Sequence, residues 1–147
     1  MNDRYFVDTN ILVYAHDRSA GVKHKLAQAL IEELWSSGGG VLSTQVLQEL
    51  CINLLRRSTY PLSGEETRSL IKDYSSWTIV INTAESVVQA LDIEVRFKIS
   101  FWDALIVRCA AVAGCASLLS EDLNHGQMIE GVRIVNPFLS TPASPDK

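Results

Sequence analysis

The chain has 147 residues, of which 47% are hydrophobic and 20% charged; this is enough apolar material for one buried core and excludes intrinsic disorder. Thirteen Lys and Arg against seventeen Asp and Glu leave a net charge of −4, so bulk positive charge does not make this a general nucleic-acid binder. No apolar run reaches the ~18 residues of a membrane span, the start Met1-Asn2-Asp3-Arg4 has no signal-peptide layout, and three cysteines without a CxxC spacing argue against a disulfide framework. The expectation is a cytoplasmic, reduced protein without a membrane partner.

In chain order, residues 4–8 read as a short buried strand carrying Tyr5, Phe6 and Val7. Asp8-Thr9-Asn10 supplies N-cap chemistry for the apolar segment Ile11–Ala15. From Gly21 to Trp35, Leu26, Leu30, Ile31 and Leu34 recur at helical spacing, and Ser36 to Gly40 is a stop. Val41-Leu42-Ser43 reads as a second strand, and Thr44 or Gln45 through Arg57 as one helix with Val46, Leu47, Leu50, Leu54 and Leu55 as its apolar stripe. Pro61 breaks the chain, and Ser63-Gly64-Glu65-Glu66 fits a capping box for a helix to about Ser76.

Trp77 to Ile81 reads as a strand. Thr83 caps a helix to about Lys98, and Ser100 caps another from Phe101 to Ala113, ended by Gly114. Ser117-Leu118-Leu119 is a strand, Ser120 to Gln127 a polar segment, and Val132 to Val135 a last strand before Asn136-Pro137. Strands alternating with helices, without hairpin signals, imply an α/β chain: a three-layer α/β/α sandwich around a central parallel sheet. One domain over residues 1–138 is expected, then a flexible tail, 139–147, with Pro142 and Pro145.

Parallel sheets carry ligands at the carboxyl ends of their strands. Asp8 follows the first strand and Asp122 the fourth; Glu49 and Asp103 lie on helices that follow strands. Each has a structural explanation alone. Asp8 suits a helix cap, Asp103 the third position of the box begun by Ser100, Glu49 a solvated helix face shared with Gln45 and Asn53, and Asp122 a loop. Their joint placement above one sheet edge is what those explanations leave out. Two carboxylates ~4 Å apart repel by roughly 4 kcal/mol near a protein surface, and a hard divalent cation relieves this; oxygen-only donors favour magnesium or manganese over zinc.

Other chemistries lack their parts. There is no GxxxxGK[ST] loop, Gly38-Gly39-Gly40 precedes a strand rather than following one, and no GxSxG elbow exists. Asp8-Thr9-Asn10 lacks the second acid of a DxD phosphotransferase, which leaves water as the nucleophile. A phospho-acceptor receiver domain would need a second acid beside the first-strand acid and a lysine near the last strand, and neither is evident. His16, His24 and His125 form no ligand pattern, and Cys109 and Cys115 suit a core.

Four segments in order, Phe6-Val7-Asp8-Thr9-Asn10-Ile11-Leu12, Ser43-Thr44-Gln45-Val46-Leu47-Gln48-Glu49-Leu50, Phe101-Trp102-Asp103-Ala104-Leu105-Ile106 and Leu118-Leu119-Ser120-Glu121-Asp122-Leu123, resemble the PIN-domain family and, within it, the VapC-like toxins of toxin–antitoxin pairs. The resemblance runs from about residue 4 to 137. It implies a PIN-like, Rossmann-like fold over residues 1–138 and a magnesium-dependent endoribonuclease, with manganese as the other candidate metal. The acidic quartet falls on Asp8, Glu49, Asp103 and Asp122, as both metal ligands and catalytic groups, with Asn10 and Ser120 supporting; the spacing from Ser120 favours Asp122 over Glu121. A catalytically silent PIN-like module that only docks RNA or protein is the alternative, and the intact quartet argues against it.

Without the quartet the remaining charge is balanced, so RNA would be held locally, by Arg56 and Arg57, Arg68 and Lys72, or Arg96 and Lys98. The resemblance also implies a homodimer and an antitoxin that covers the acidic site. An apolar groove between the helices around Leu26–Leu34 and Leu47–Leu55 is the expected seat for that partner.

Overall fold

The computed structural model describes residues 3–139. Six strands form a single sheet in the order β3-β2-β1-β4-β6-β5: β1 Tyr5–Val7, β2 Gly40–Ser43, β3 Thr78–Val80, β4 Ser117–Leu119, β5 Met128–Ile129 and β6 Val132–Val135. All neighbours pair in parallel except β5 with β6. Phe6, Val41, Leu42, Leu118 and Ile134 are essentially inaccessible. Such strands are covered on both faces, which is why they read as continuous apolar runs without alternation.

The helices are α1 Thr9–Ala15, α2 Val22–Ser37, α3 Thr44–Ile52, α4 Gly64–Tyr74, α5 Ala84–Phe97 and α6 Phe101–Val112. From β1 to β3 the chain steps one way across the sheet, carrying α1 to α4; it then returns over the sheet through α5 and α6 to β4. Right-handed crossovers place those two groups on opposite faces. In agreement, α1 packs on α2 and α3, α3 on α4, and α5 on α6. The expected three-layer α/β/α sandwich is the fold found.

The caps act as expected. Ser43, Ser63, Thr83 and Ser100 each accept the N–H three residues on, and Ser63 with Glu66 closes the full capping box. Cys109 and Cys115 are buried in the core and free.

Three features differ from expectation. The sheet ends in a hairpin: β5 turns back through Glu130 (φ 53°) and Gly131 (φ 80°) into β6. Both central residues sit at positive φ, the geometry of a type I′ turn. Glu-Gly is a weaker signal for it than Asn-Gly, and a two-residue strand leaves little alternation to read. Second, the helix after β2 stops being α-helical at Ile52 and finishes as a π-helical turn, Asn53–Arg57. Third, α1 packs against both α2 and α3, the two helices between which a groove is expected. An apolar groove beside α3 lies against α4, lined by Cys51, Leu55, Thr67 and Ile71 together with Arg68 and Lys72. The expected tail falls on residues 140–147, outside the described residues, apart from exposed Leu139.

Candidate active site

The chain leaves β1 for one half of the sheet and β4 for the other, so the carboxyl ends of these two neighbours flank the crevice where open α/β sheets bind ligands. Asp8 stands at the end of β1 and caps α1, its Oδ1 accepting the Thr9 N–H at 2.7 Å. Its Oδ2 accepts the Ser120 hydroxyl at 2.8 Å. Ser120 follows β4 and is fully buried. Its Oγ also accepts the Asp122 N–H at 3.1 Å, which turns the loop so that Asp122 faces the crevice.

The other two acids enter from the helices. Glu49 of α3 accepts the Thr9 hydroxyl on Oε1 at 2.6 Å and the Gln45 amide on Oε2 at 3.1 Å. Asp103 sits in the first turn of α6; its backbone N–H donates to Ser100, which leaves the carboxylate to the cavity. Asp8, Glu49, Asp103 and Asp122 thus all line one cavity of about 550 Å³, together with Asn10. Asn10 donates to Asp122 Oδ2 at 3.0 Å. Glu121 points elsewhere, accepting Tyr14 Oη at 2.8 Å and pairing with Lys23.

The electrostatics follow from burial. Asp8 is 5% exposed. Burial pushes its carboxyl up to about 7, against hydrogen bonds from Ser120 and Thr9, with Asp122 and Asp103 adding repulsion. Burial also raises the Asp103 carboxyl; the Ser100 hydroxyl offsets part of this, and facing Asp122 and Glu49 add to it. Asp8 and Asp103 therefore sit where burial first, and neighbouring acids second, resist their ionisation.

These residues fit a hard divalent cation. The donors are all oxygen, and Asn10 Oδ1 and Gln45 Oε1 are buried without a hydrogen-bond partner. Among the described residues no three His, Cys, Asp or Glu groups stand close enough to close a coordination shell by themselves. Magnesium does not require that, because it keeps several waters and takes one or two carboxylates.

Of the six basic candidates, only Arg57 lines the cavity. Arg56 is exposed beside it, and Arg68 and Lys72 line the α3–α4 groove. Arg96 is engaged by Asp92 and Glu130 at 3.0 and 2.5 Å; Lys98 ends α5 and is exposed. Sequence reasoning missed Thr9 and Trp102. Thr9 carries no signal beyond standing next to Asp8, and Trp102, noted in the sequence only as part of a motif segment, is 61% exposed at the cavity wall.

A mainly parallel sheet with acids gathered at its switch point is the architecture of an α/β domain built for ligand or metal chemistry. The family model of the PIN domain matches residues 5–129, and the chain belongs to the PIN-domain family. No curated protein matches it. Among solved structures it is similar to VapC20 of Mycobacterium tuberculosis, described as a sarcin–ricin loop cleaving toxin, with 22% identity, 80% of this chain and 89% of that chain covered, and a TM-score of 0.60. A toxin–antitoxin complex from Klebsiella pneumoniae (18% identity, 91% and 98% covered, TM-score 0.66) and DNA-bound VapBC from Salmonella typhimurium (16%, 90% and 97%, 0.62) share the fold. Among the described residues no helix is long and apolar enough to cross a membrane.

Proposed function

We propose that this PIN-domain chain is a metal-dependent endoribonuclease, with magnesium or manganese as cofactor, acting as the toxin of a toxin–antitoxin pair in the cytoplasm. The observation that carries this reading is the convergence of Asp8, Glu49, Asp103 and Asp122 on one cavity at the β1/β4 crevice. The solved toxin–antitoxin complexes of the same fold support the biological setting.

Asp8 and Asp103 are the principal metal ligands in this reading, and Glu49 and Asp122 complete the shell directly or through water. When bound, the cation supplies a water of lowered pKa and neutralises charge on the scissile phosphate. Thr9 and Gln45 hold the Glu49 carboxylate, Asn10 holds Asp122, and Ser120 holds Asp8. Glu49 or Asp122 accepts the proton of the attacking water at a carboxylate oxygen. In-line attack of that water forms a new P–O bond as the bond from phosphorus to the ribose 3′ oxygen breaks; the 3′ oxygen takes up a proton from solvent, leaving a 3′-hydroxyl and a 5′-phosphate. The partner is an antitoxin whose segment covers the acidic cavity and offers it an arginine, and the toxin itself is a homodimer. Co-purification with a small acid-site-covering protein is expected on native expression, and a clean, active monomer counts against these assignments.

The test is RNA cleavage in a magnesium titration, comparing wild type with Asp8→Asn and Asp103→Asn. Cleavage is expected to require magnesium or manganese and to fall about 10²-fold or more in each variant. Equal cleavage by wild type and Asp103→Asn ends the mechanism. RNA bound but left uncut in either metal favours the silent binding module.

A further inference from the structure

Arg57 reaches the acidic cavity because of the π-helical turn. In an unbroken α-helix each residue advances ~100°, so Arg57, twelve residues after Gln45, would stand ~120° away from it, and Arg56 only ~20° away. The chain does otherwise. Ser58 N–H donates to Asn53 O at 2.9 Å, a bond spanning five residues, and such a turn accommodates one extra residue. Arg57 thereby takes the place of the eleventh residue, ~20° from Gln45, and Arg56 is turned ~80° to the other side. The cavity wall agrees: Gln45, Glu49, Asn53 and Arg57 line it and Arg56 does not.

Among the described residues, Arg57 is the only cation on a wall that carries four carboxylates, and it joins none of the ion pairs found there. Arg57 is an exposed residue, and among the described residues its side chain makes no hydrogen bond, which leaves it available to an anion. From α6, Trp102 enters the same wall, 61% exposed and beside Asp103. Its ring is braced edge-on by Phe101, with centroids 5.3 Å apart. A cation and a held aromatic face in one groove are the two elements with which proteins grip single-stranded nucleic acid, one for the backbone and one for a base.

We propose that Arg57 binds a backbone phosphate next to the scissile one and that Trp102 stacks on a base of the same single strand, so that the strand lies across the carboxylate cavity between α3 and α6. This rests on the nuclease reading for the word scissile, but its test reads binding alone. The probe is a fluorescein-labelled, mixed-sequence single-stranded RNA of twelve nucleotides. Every protein carries Asp8→Asn, so that the proposed cleavage does not interfere.

Arg57→Gln is expected to weaken binding roughly tenfold and to lower the slope of log affinity against log salt by about 0.7. Arg56→Gln, its neighbour, is expected to stay within about twofold. Trp102→Ala is expected to weaken binding roughly tenfold with the salt slope unchanged. Trp102→Phe is expected to keep most of the affinity while abolishing the tryptophan quenching that RNA produces.

An Arg56→Gln loss equal to that of Arg57→Gln overturns the proposal, since diffuse charge would then explain both. So does quenching that persists in Trp102→Phe, or a Trp102→Ala variant that changes oligomeric state while binding RNA normally. Any of these leaves the metal-dependent cleavage of the parent protein standing. Conversely, the expected binding pattern in a protein whose Asp8 form never cuts RNA removes the nuclease reading alone.

Discussion

Asp8 carries the largest conflict at the scale of a single residue, a carboxylate nearly shut off from water and faced by two other acids. Its pKa stands at about 7 in the folded state against an ordinary 3.8. Between those values the folded chain keeps a proton that the unfolded chain has released, so Asp8 favours folding below about pH 4 and this contribution is lost as pH rises toward 7. Thermal melts in chelator are therefore expected to show stability falling across that window in wild type and much less in Asp8→Asn. Above pH 7 the variant should be no less stable than wild type. Thr9 is a positioning residue in the same sense: Thr9→Val removes the 2.6 Å bond to Glu49. It is expected to lower kcat of RNA cleavage by roughly 10–100-fold with KM little changed and Thr9→Ser restoring the rate.

At the scale of elements, the start of β2 depends on a missing side chain. A Cβ on Gly40 would lie 2.3 Å from the Trp77 ring, so Gly40→Ala is expected to cost about 1–3 kcal/mol and lower the melting temperature by several degrees. Gly64, at the start of α4, has nothing within 4 Å of the same position. Gly64→Ala should hold or slightly raise the melting temperature, and the pair of melts separates packing from mere loss of glycine. Local chemistry made most elements legible: every strand core except β5, and each of the four Ser or Thr caps, stands where apolar runs and hydroxyls put it. The π-helical turn at Asn53–Arg57 was not legible, because a one-residue excess in a helix leaves the apolar stripe of Leu50 and Leu54 intact and shows only in which arginine faces the cavity. The β5–β6 hairpin was missed for a related reason, since its strand is two residues long and its turn lacks the usual Asn-Gly pair.

For the whole molecule, the proposed metal site would link cation binding to folding. A cation that binds the folded cavity and not the unfolded chain stabilises by about 2.7 kcal/mol at a concentration 100 times its Kd. Magnesium is accordingly expected to raise the melting temperature of wild type by several degrees and to do much less for Asp103→Asn; equal shifts would place the ion elsewhere. The amino-acid order by itself made legible the layered α/β sandwich and the four acids that line one cavity, because strand runs, caps and acid positions are local signals. The tertiary structure decided what depends on distance: that Glu121 turns to Tyr14 and Lys23 while Asp122 faces the crevice, that Thr9 holds Glu49 from 40 residues away, and that Arg57 alone among the basic candidates reaches the cavity. Those outcomes turn on side-chain direction across elements distant in sequence, and only packing the sheet and its helices sets that direction.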